Sequence, residues 1–257
     1  MKNVYYNNFD CAHKSDIGKV RLRNEDRVFI DPEIGFFGIS DGMGGLRYGE
    51  RTAEVVVHSV SEAVRLFLEE TSHNISPREA EEKLIDVVEG VSDSIFELNN
   101  MIGGHEFGAT ISCLLLINDS AVFCNVGDSR GYLLRCGVLH LHTEDHNYAN
   151  HSVMRSDGVE RKPVPSTPSF LNSILTKFMG MKDVEPHTQV VKVEDGDVIL
   201  LCSDGLHNML TDREITKIIE LNGSAEDIAD TLITAANEAG GQDNISVVVV
   251  KIGPSII

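Results

Sequence analysis

Apolar residues along this chain recur with two spacings, and the change of period divides it into blocks. Val28-Phe29-Ile30 and Phe36-Phe37-Gly38-Ile39 flank Pro32, which predicts two short strands around a turn between residues 27 and 40. From Glu50 to Glu70 the steps lengthen to three and four. Ala53, Val56, Val57, Val60, Val64 and Phe67-Leu68 predict an amphipathic helix there. A second helix is expected to start at Ser76-Pro77-Arg78-Glu79. Ser76 suits the N-cap, Pro77 the first helical position, and Glu79 closes a capping box. Its apolar stripe is Leu84, Val87, Val88, Val91, Ile95 and Leu98, and Gly103-Gly104 ends it.

A meander follows. Ala109–Ile117 and Ala121–Val126 read as strands across Asn118-Asp119-Ser120; the chain turns at Gly127-Asp128-Ser129, and Tyr132–Cys136 and Val138–Leu141 follow across Gly137. Leu114-Leu115-Leu116-Ile117 is apolar on both faces, so its sheet is expected to be covered on both sides. Residues 143–170 are polar, hold Pro163, Pro165 and Pro168, and lack a period, which marks a functional or mobile segment. Strands are expected again at His187–Val193 and Asp197–Cys202, helices at Asp212–Leu221 and Ser224–Ala239, and a last strand at Ile245–Ile252. Helix pairs separate blocks of hairpin-linked strands instead of alternating with them. That favours an α+β layered sandwich with one core, a single domain spanning residues 1–257.

Charge narrows the partners. With 22 Lys and Arg against 40 Asp and Glu, the formal net charge is −18. Such a surface repels nucleic-acid phosphates and anionic lipid. No 18-residue apolar window and no apolar signal core at Met1–Asn8 are found, so a cytoplasmic chain without membrane insertion is expected. Cys11, Cys113, Cys124, Cys136 and Cys202 show no Cys-x-x-Cys spacing and are expected as reduced thiols, mostly buried.

Acidic residues supply the candidate chemistry. Asp41, Asp128 and Asp204 each follow an apolar run, Asp26 sits in Asn24-Glu25-Asp26, and Asp243 precedes the last strand; Asp41 and Asp204 are followed by Gly. A strand ending in Asp-Gly places an anionic oxygen at a sheet rim, with a glycine that lets the backbone reverse close by. Any one such pair is more often a plain turn, as Asp119, Asp157 and Asp195-Gly196-Asp197 are expected to be. Five at strand ends suggest one assembled rim. Carboxylate oxygens suit Mg²⁺ or Mn²⁺, whereas none of the acidic motifs holds a His or Cys, which would draw Zn²⁺, at an obvious ligand position apart from His207 near Asp204. Two such ions can share and activate a water for in-line attack. Arg21, four residues before Glu25, is a candidate bidentate phosphate grip, although alone it would read as a surface ion-pair residue. His140, His142, His146 and His151 have no zinc spacing and read as loop or strand-face residues, and Met179 and Met181 as packing residues.

Seven segments in this order resemble the metal-dependent protein serine/threonine phosphatases of the 2C type, in their compact bacterial form. They are 16–26 (DIGKVRLRNED), 40–45 (SDGMGG), 107–110 (FGAT), 125–130 (NVGDSR), 175–180 (LTKFMG), 201–206 (LCSDGL) and 241–246 (GQDNIS). The resemblance runs from about Ser15 to Val250. It implies a four-layer α-β-β-α sandwich with two central antiparallel sheets. It also implies two core Mn²⁺ or Mg²⁺ ions, bridged by Asp41 and contacted by the Gly42 carbonyl. Asp204 and Asp243 would ligate one of them, Glu25 would reach the other through water, and Asp26 would support the shell. Asp128 would join Asp204 at a third, weaker ion, Arg21 would bind the phosphate, and residues 145–170 would form a flap. The implied substrates are phosphoserine and phosphothreonine proteins, attacked directly by activated water and opposed by a Ser/Thr kinase; a monomer is expected. Met43 stands where many eukaryotic relatives carry a His general acid, so the leaving oxygen must take its proton from another group or from solvent held by the cations. Lys177 and Phe178 depart from the usual Arg and Ala. A phosphoprotein-binding module that has lost turnover is the alternative, and intact Arg21, Asp41, Asp204 and Asp243 weigh against it.

Overall fold

The computed structural model describes residues 8–43, 48–71, 75–102, 107–150, 174–221 and 223–253. Eleven strands and five helices are found among the described residues. The sequence pattern explains most of them. Phe36–Met43 (β3) pairs antiparallel with Asp26–Asp31 (β2), as the apolar runs around Pro32 predict. Helix α1 covers Tyr48–Glu70 and buries Ala53, Val56, Val60, Val64, Phe67 and Leu68, the predicted stripe apart from Val57. Helix α2, Pro77–Met101, starts on the expected capping box: Ser76 Oγ accepts from Glu79 N, and the Glu79 carboxylate accepts from Ser76 N at 2.9 Å. Its stripe holds at Leu84, Val88 and Ile95, but Leu98 is 45% exposed. Gly103-Gly104, expected to end α2, lies outside the described residues, as do His151, Asp157 and residues 151–170 of the expected flap.

Strand order shows the layering. One sheet runs β1 (Phe9–Asp16), β11 (Ile245–Ile252), β10 (Val198–Cys202), β7 (Arg130–Arg135), β8 (Val138–Leu141). The other runs β2, β3, β5 (Ile111–Ile117), β6 (Ser120–Val126), β9 (His187–Lys192), with the two-residue β4 (Gly108–Ala109) beside β3. Every named pairing is antiparallel. The expected strand 109–117 is broken at Thr110, whose N–H turns to the Asp41 carbonyl at 2.8 Å.

The two sheets divide the apolar interior into three slabs. Phe37, Ile39, Phe123, Leu201 and Val248 pack between the sheets. Helices α1 and α2 cover the outer face of the β2–β9 sheet through Val56, Leu84, Val88 and Leu115. The opposite sheet is covered by α4 (Asp212–Leu221) and α5 (Ala225–Glu238), through Ile215, Ile228, Leu232 and Val249. This is the four-layer α-β-β-α sandwich. Leu114–Ile117 is at most 2% exposed, as a strand covered on both faces must be.

Strand β1 carries no sequence signal. Only Phe9 and Cys11 reach the inner slab, Ala12 packs against the outer one, and the remaining residues of Phe9–Asp16 are polar and largely exposed because the strand lies at an edge. The thiols are free, and Cys113, Cys124 and Cys202 are buried; Cys136 instead is exposed, at φ +49° in the β7–β8 turn.

Candidate metal centre

Five elements bring carboxylates to one rim. Asp41 lies near the end of β3, directly opposite Asp26 at the start of β2. Asp128 sits in the β6–β7 turn, Asp243 just before β11, and Asp204 opens the single-turn helix α3 (Asp204–His207) after β10. Their proximity shows in their electrostatics. Burial pushes the Asp41 carboxyl well above the usual range, and Asp26, Asp204, Asp128 and Asp243 raise it further. Asp204 is raised in the same way, by burial and then by Asp128, Asp243 and Asp26. Asp26 is pushed up to about 6, chiefly by burial and against the hydrogen bonds from Ser246 and Ser203. Asp128 is pushed up to about 7, by burial and then by Asp145.

Each turn is fixed by groups that sequence reading passed over. Asn244, 4% exposed, sends its Nδ2 to the carbonyls of Ile17 (2.9 Å) and Arg23 (2.8 Å), while its Oδ1 accepts from Glu25 N at 2.8 Å. Ser203 donates from Oγ to Asp26 Oδ2 at 2.8 Å and accepts from Ser246 N. The Asp41 backbone is held by Thr110, whose Oγ1 accepts from Asp41 N at 2.9 Å. His207, expected as a ligand if any histidine was, turns instead to the Asp128 carbonyl, 3.0 Å from its Nε2. Burial holds its pKa at about 4, so the ring is neutral and Nε2–H is the donor. His146 braces the same turn: its N–H donates to the Gly127 carbonyl at 2.9 Å and its Nδ1 accepts from Gly127 N at 3.2 Å. Arg130 meets Asp145 in a two-bond contact of 2.8 and 2.6 Å. Thr110, Arg130, Ser203, Asn244 and Ser246 lie inside the segments 107–110, 125–130, 201–206 and 241–246 quoted above, but nothing in the sequence assigned them these bonds.

Glu25 and Gly42 share one corner. A methyl group built on Gly49 would stand 2.8 Å from the Gly42 carbonyl oxygen and 2.9 Å from Glu25 Oε1, so both oxygens flank the same point. Gly42 itself is packed against the Gly49 carbonyl, and any side chain there would collide with it. Arg21 reaches across the rim, with Nη2 at 2.6 Å from Asp243 Oδ2. Burial works against its charge, but Asp243, Asp41 and Asp204 keep the guanidinium protonated.

As the side chains stand, no three His, Cys, Asp or Glu among the described residues form a cage ready for one ion. The reason is visible in the bonds: Arg21 and Asn244 N take the two Asp243 oxygens, Asn208 takes Asp204 Oδ2 at 3.1 Å, and Ser203 takes Asp26 Oδ2. Asp204 Oδ1 and Asp26 Oδ1, both buried, have no hydrogen-bond partner. Buried, mutually repelling carboxylates with orphaned oxygens fit hard divalent cations, which would supply the missing positive charge. Gly44 and Gly45 of the Asp-Gly-Met-Gly-Gly motif lie outside the described residues.

Comparison with known proteins agrees with this architecture. The chain belongs to the Protein phosphatase 2C family, whose profile matches residues 19–246. It is 34% identical over 249 residues to Serine/threonine phosphatase stp of Listeria monocytogenes serotype 4b, covering 93% of this chain and 94% of that one. It is 30% identical over 243 residues to Protein phosphatase PhpP of Streptococcus pneumoniae serotype 2, covering 92% and 95%. Among solved structures, the serine/threonine phosphatase PstP/Ppp of Mycobacterium tuberculosis superposes with a TM-score of 0.81 at 28% identity, over 96% of this chain and 99% of that one. A structure of the PstP catalytic domain in complex with 2 manganese ions gives 0.79 at 27% identity, over 96% and 99%.

Proposed function

We propose that this chain is a protein serine/threonine phosphatase that hydrolyses phosphoserine and phosphothreonine monoesters with Mn²⁺ or Mg²⁺, using the rim above as its active site. The observation that carries the assignment of the site is the convergence of Asp26, Asp41, Asp128, Asp204 and Asp243, each forced toward its protonated form or forcing another to be so. Asp41, the Gly42 carbonyl and Glu25 would hold one core ion, Asp41, Asp204 and Asp243 the other, and Asp128 with Asp204 a third. Bound divalent cations supply Lewis acidity, which neutralises the carboxylates, polarises phosphoryl oxygens and makes water nucleophilic near neutral pH.

The chain's own residues do the rest. Arg21 is exposed enough to turn one face of its guanidinium to a phosphate while Asp243 orients the other. Asn244, Ser203 and Thr110 hold the ligand-bearing turns so that the oxygens need not reorganise when substrate arrives. No protein nucleophile is required. The Cys202 thiol beside Asp204 is pushed up to about 12 by burial, and Ser203, Ser129 and Thr110 are engaged in internal hydrogen bonds. These observations support direct attack by water, without a phosphoenzyme. Met43 donates no proton, and the neutral His207 spends its N–H on a backbone carbonyl, so neither serves as general acid.

We read the layered sandwich as one catalytic domain, acting as a monomer in the cytoplasm against a Ser/Thr kinase, with residues 145–170 as the flap. Among the described residues no helix is long and apolar enough to cross a membrane. The test is hydrolysis of p-nitrophenyl phosphate and of a phosphothreonine peptide with Mn²⁺ or after chelation, for wild type and Asp204→Asn. Turnover that survives chelation, or an Asp204→Asn protein as active as wild type, would overturn the reading.

A further inference from the structure

The loop between β1 and β2 is stapled at both ends yet exposes its middle. Gly18, at φ +77°, takes its N–H to Asp16 Oδ1 at 2.8 Å, and Lys19 N donates to the Gly241 carbonyl at 2.7 Å. Asn244 closes the loop by bonding the carbonyls of both Ile17 and Arg23. Between those anchors Arg21 turns inward to Asp243, and the apolar side chains point out. Leu22 is 95% exposed, Val20 64% and Ile17 39%. A single exposed Leu means little, but three apolar side chains on one anchored loop beside a phosphate-binding arginine form a patch that asks for a partner.

The same loop is basic in an acidic protein. Three of the 22 Lys and Arg lie within Lys19-Val20-Arg21-Leu22-Arg23. Arg21 is engaged by Asp243, whereas among the described residues Lys19 and Arg23 form no side-chain ion pair. Net charge of −18 would favour basic ligands at long range, but charges beyond about 8 Å are screened at physiological salt, so at the mouth of the site the local cations decide.

We propose that Lys19–Arg23 is a substrate-docking element that selects phosphoproteins with acidic and apolar residues next to the phosphorylated side chain. This rests on the phosphatase reading above and adds a substrate class to it. Arg21 takes the phosphate, Lys19 and Arg23 take flanking carboxylates, and Val20 and Leu22 offer apolar contact. Because Asn244 fixes the loop beforehand, little ordering is needed when the peptide docks.

The experiment compares two phosphothreonine peptides, one flanked by Glu and Leu and one by Lys and Ser, with p-nitrophenyl phosphate as a control that meets Arg21 but is too small to reach Lys19, Leu22 or Arg23. Wild type is compared with Lys19→Glu/Arg23→Glu and with Leu22→Ser. The expected result is a fall of about tenfold in kcat/KM for the Glu/Leu peptide in the charge-reversal variant, mostly in KM and weakened by added salt, with p-nitrophenyl phosphate turnover unchanged. Leu22→Ser should lower the same value without altering its salt dependence. Equal kcat/KM for both peptides in wild type, or equal losses on the peptides and the small ester, would overturn the proposal. If wild type hydrolyses none of the three, the phosphatase reading fails by itself. Fluorescence anisotropy of the labelled peptides still decides docking: preference for the Glu/Leu peptide that the variants lose supports it, and indifference refutes it.

Discussion

Asp26 and Asp41 are direct partners across the β2–β3 ladder, two carboxylates paired where the half-buried edge strand β2 and the buried β3 meet the rim. Like charges in that position destabilise a sheet, and burial here raises both pKa values. The strand pair is therefore under electrostatic load that a cation would lift.

Removing one of the two charges should separate stability from activity. Asp41→Asn is expected to raise the melting temperature of the chelated protein by a few degrees, about 1 kcal/mol. The same change should abolish the rise that Mn²⁺ gives wild type and reduce ester hydrolysis to background. Differential scanning fluorimetry with and without Mn²⁺ checks it; an unchanged Mn²⁺ response would refute the ligand role of Asp41.

Metal affinity should rise with pH. Asp26 at about 6 and Asp128 at about 7 carry protons in mildly acidic solution that a cation must displace. Without metal the sign is opposite. Carboxylates whose folded pKa is raised bind more protons folded than unfolded, so their contribution to stability falls as pH climbs from about 4 to about 7. His146 and His207, both held near 4 by burial, act in the other sense: they favour the folded state as pH rises from about 4 toward their unperturbed 6.5. Their effect is common to both states of loading, so the Mn²⁺-induced shift in melting temperature is the quantity to follow. It should grow between pH 5.5 and 7.5, and a shift flat across that range would contradict the carboxylate cluster.

Arg21→Ala is expected to lower kcat/KM for phosphomonoesters by about 10- to 100-fold, the worth of a charged hydrogen-bonded contact. Arg21→Lys should restore only part, because an ammonium cannot grip two oxygens in one plane. Steady-state kinetics on p-nitrophenyl phosphate decide this, and full activity in Arg21→Ala would remove Arg21 from the site.

Asn244→Ala takes away three hydrogen bonds at a residue that is 4% exposed, leaving two carbonyls and an amide unmatched. A loss of about 3 kcal/mol is expected in urea unfolding. Hydrolysis should also fall even where the protein remains folded, since Glu25 and the backbone of the loop that carries Arg21 are positioned through this side chain. Wild-type stability in the variant would show that the loop anchors itself by other means.

Where a side chain's partner lies within one turn or one strand, the sequence was sufficient. Ser76 and Glu79 announce α2 because a capping box is a local bond pattern, and α4 and β11 match their predicted limits, Asp212–Leu221 and Ile245–Ile252. Asp41 and Asp204 were legible because the Asp-Gly turn at the end of an apolar run recurs with other acids at strand ends, although any one such pair alone reads as a plain turn. Strand β1 was not legible: an edge strand needs few apolar residues, and its pairing with β11 joins positions more than 220 residues apart. Asn244, His146 and His207 escaped for a related reason. Each bonds backbone atoms of a distant turn, and any polar side chain of suitable reach looks the same in a one-dimensional string.

The slab of Phe37, Ile39, Phe123, Leu201 and Val248 between the sheets carries the acidic rim without depending on it. Chemistry and scaffold are thus separable by design: a silenced twin with one rim acid changed should still fold, still present its Arg21 loop, and hold a phosphorylated client long enough for it to be captured and named.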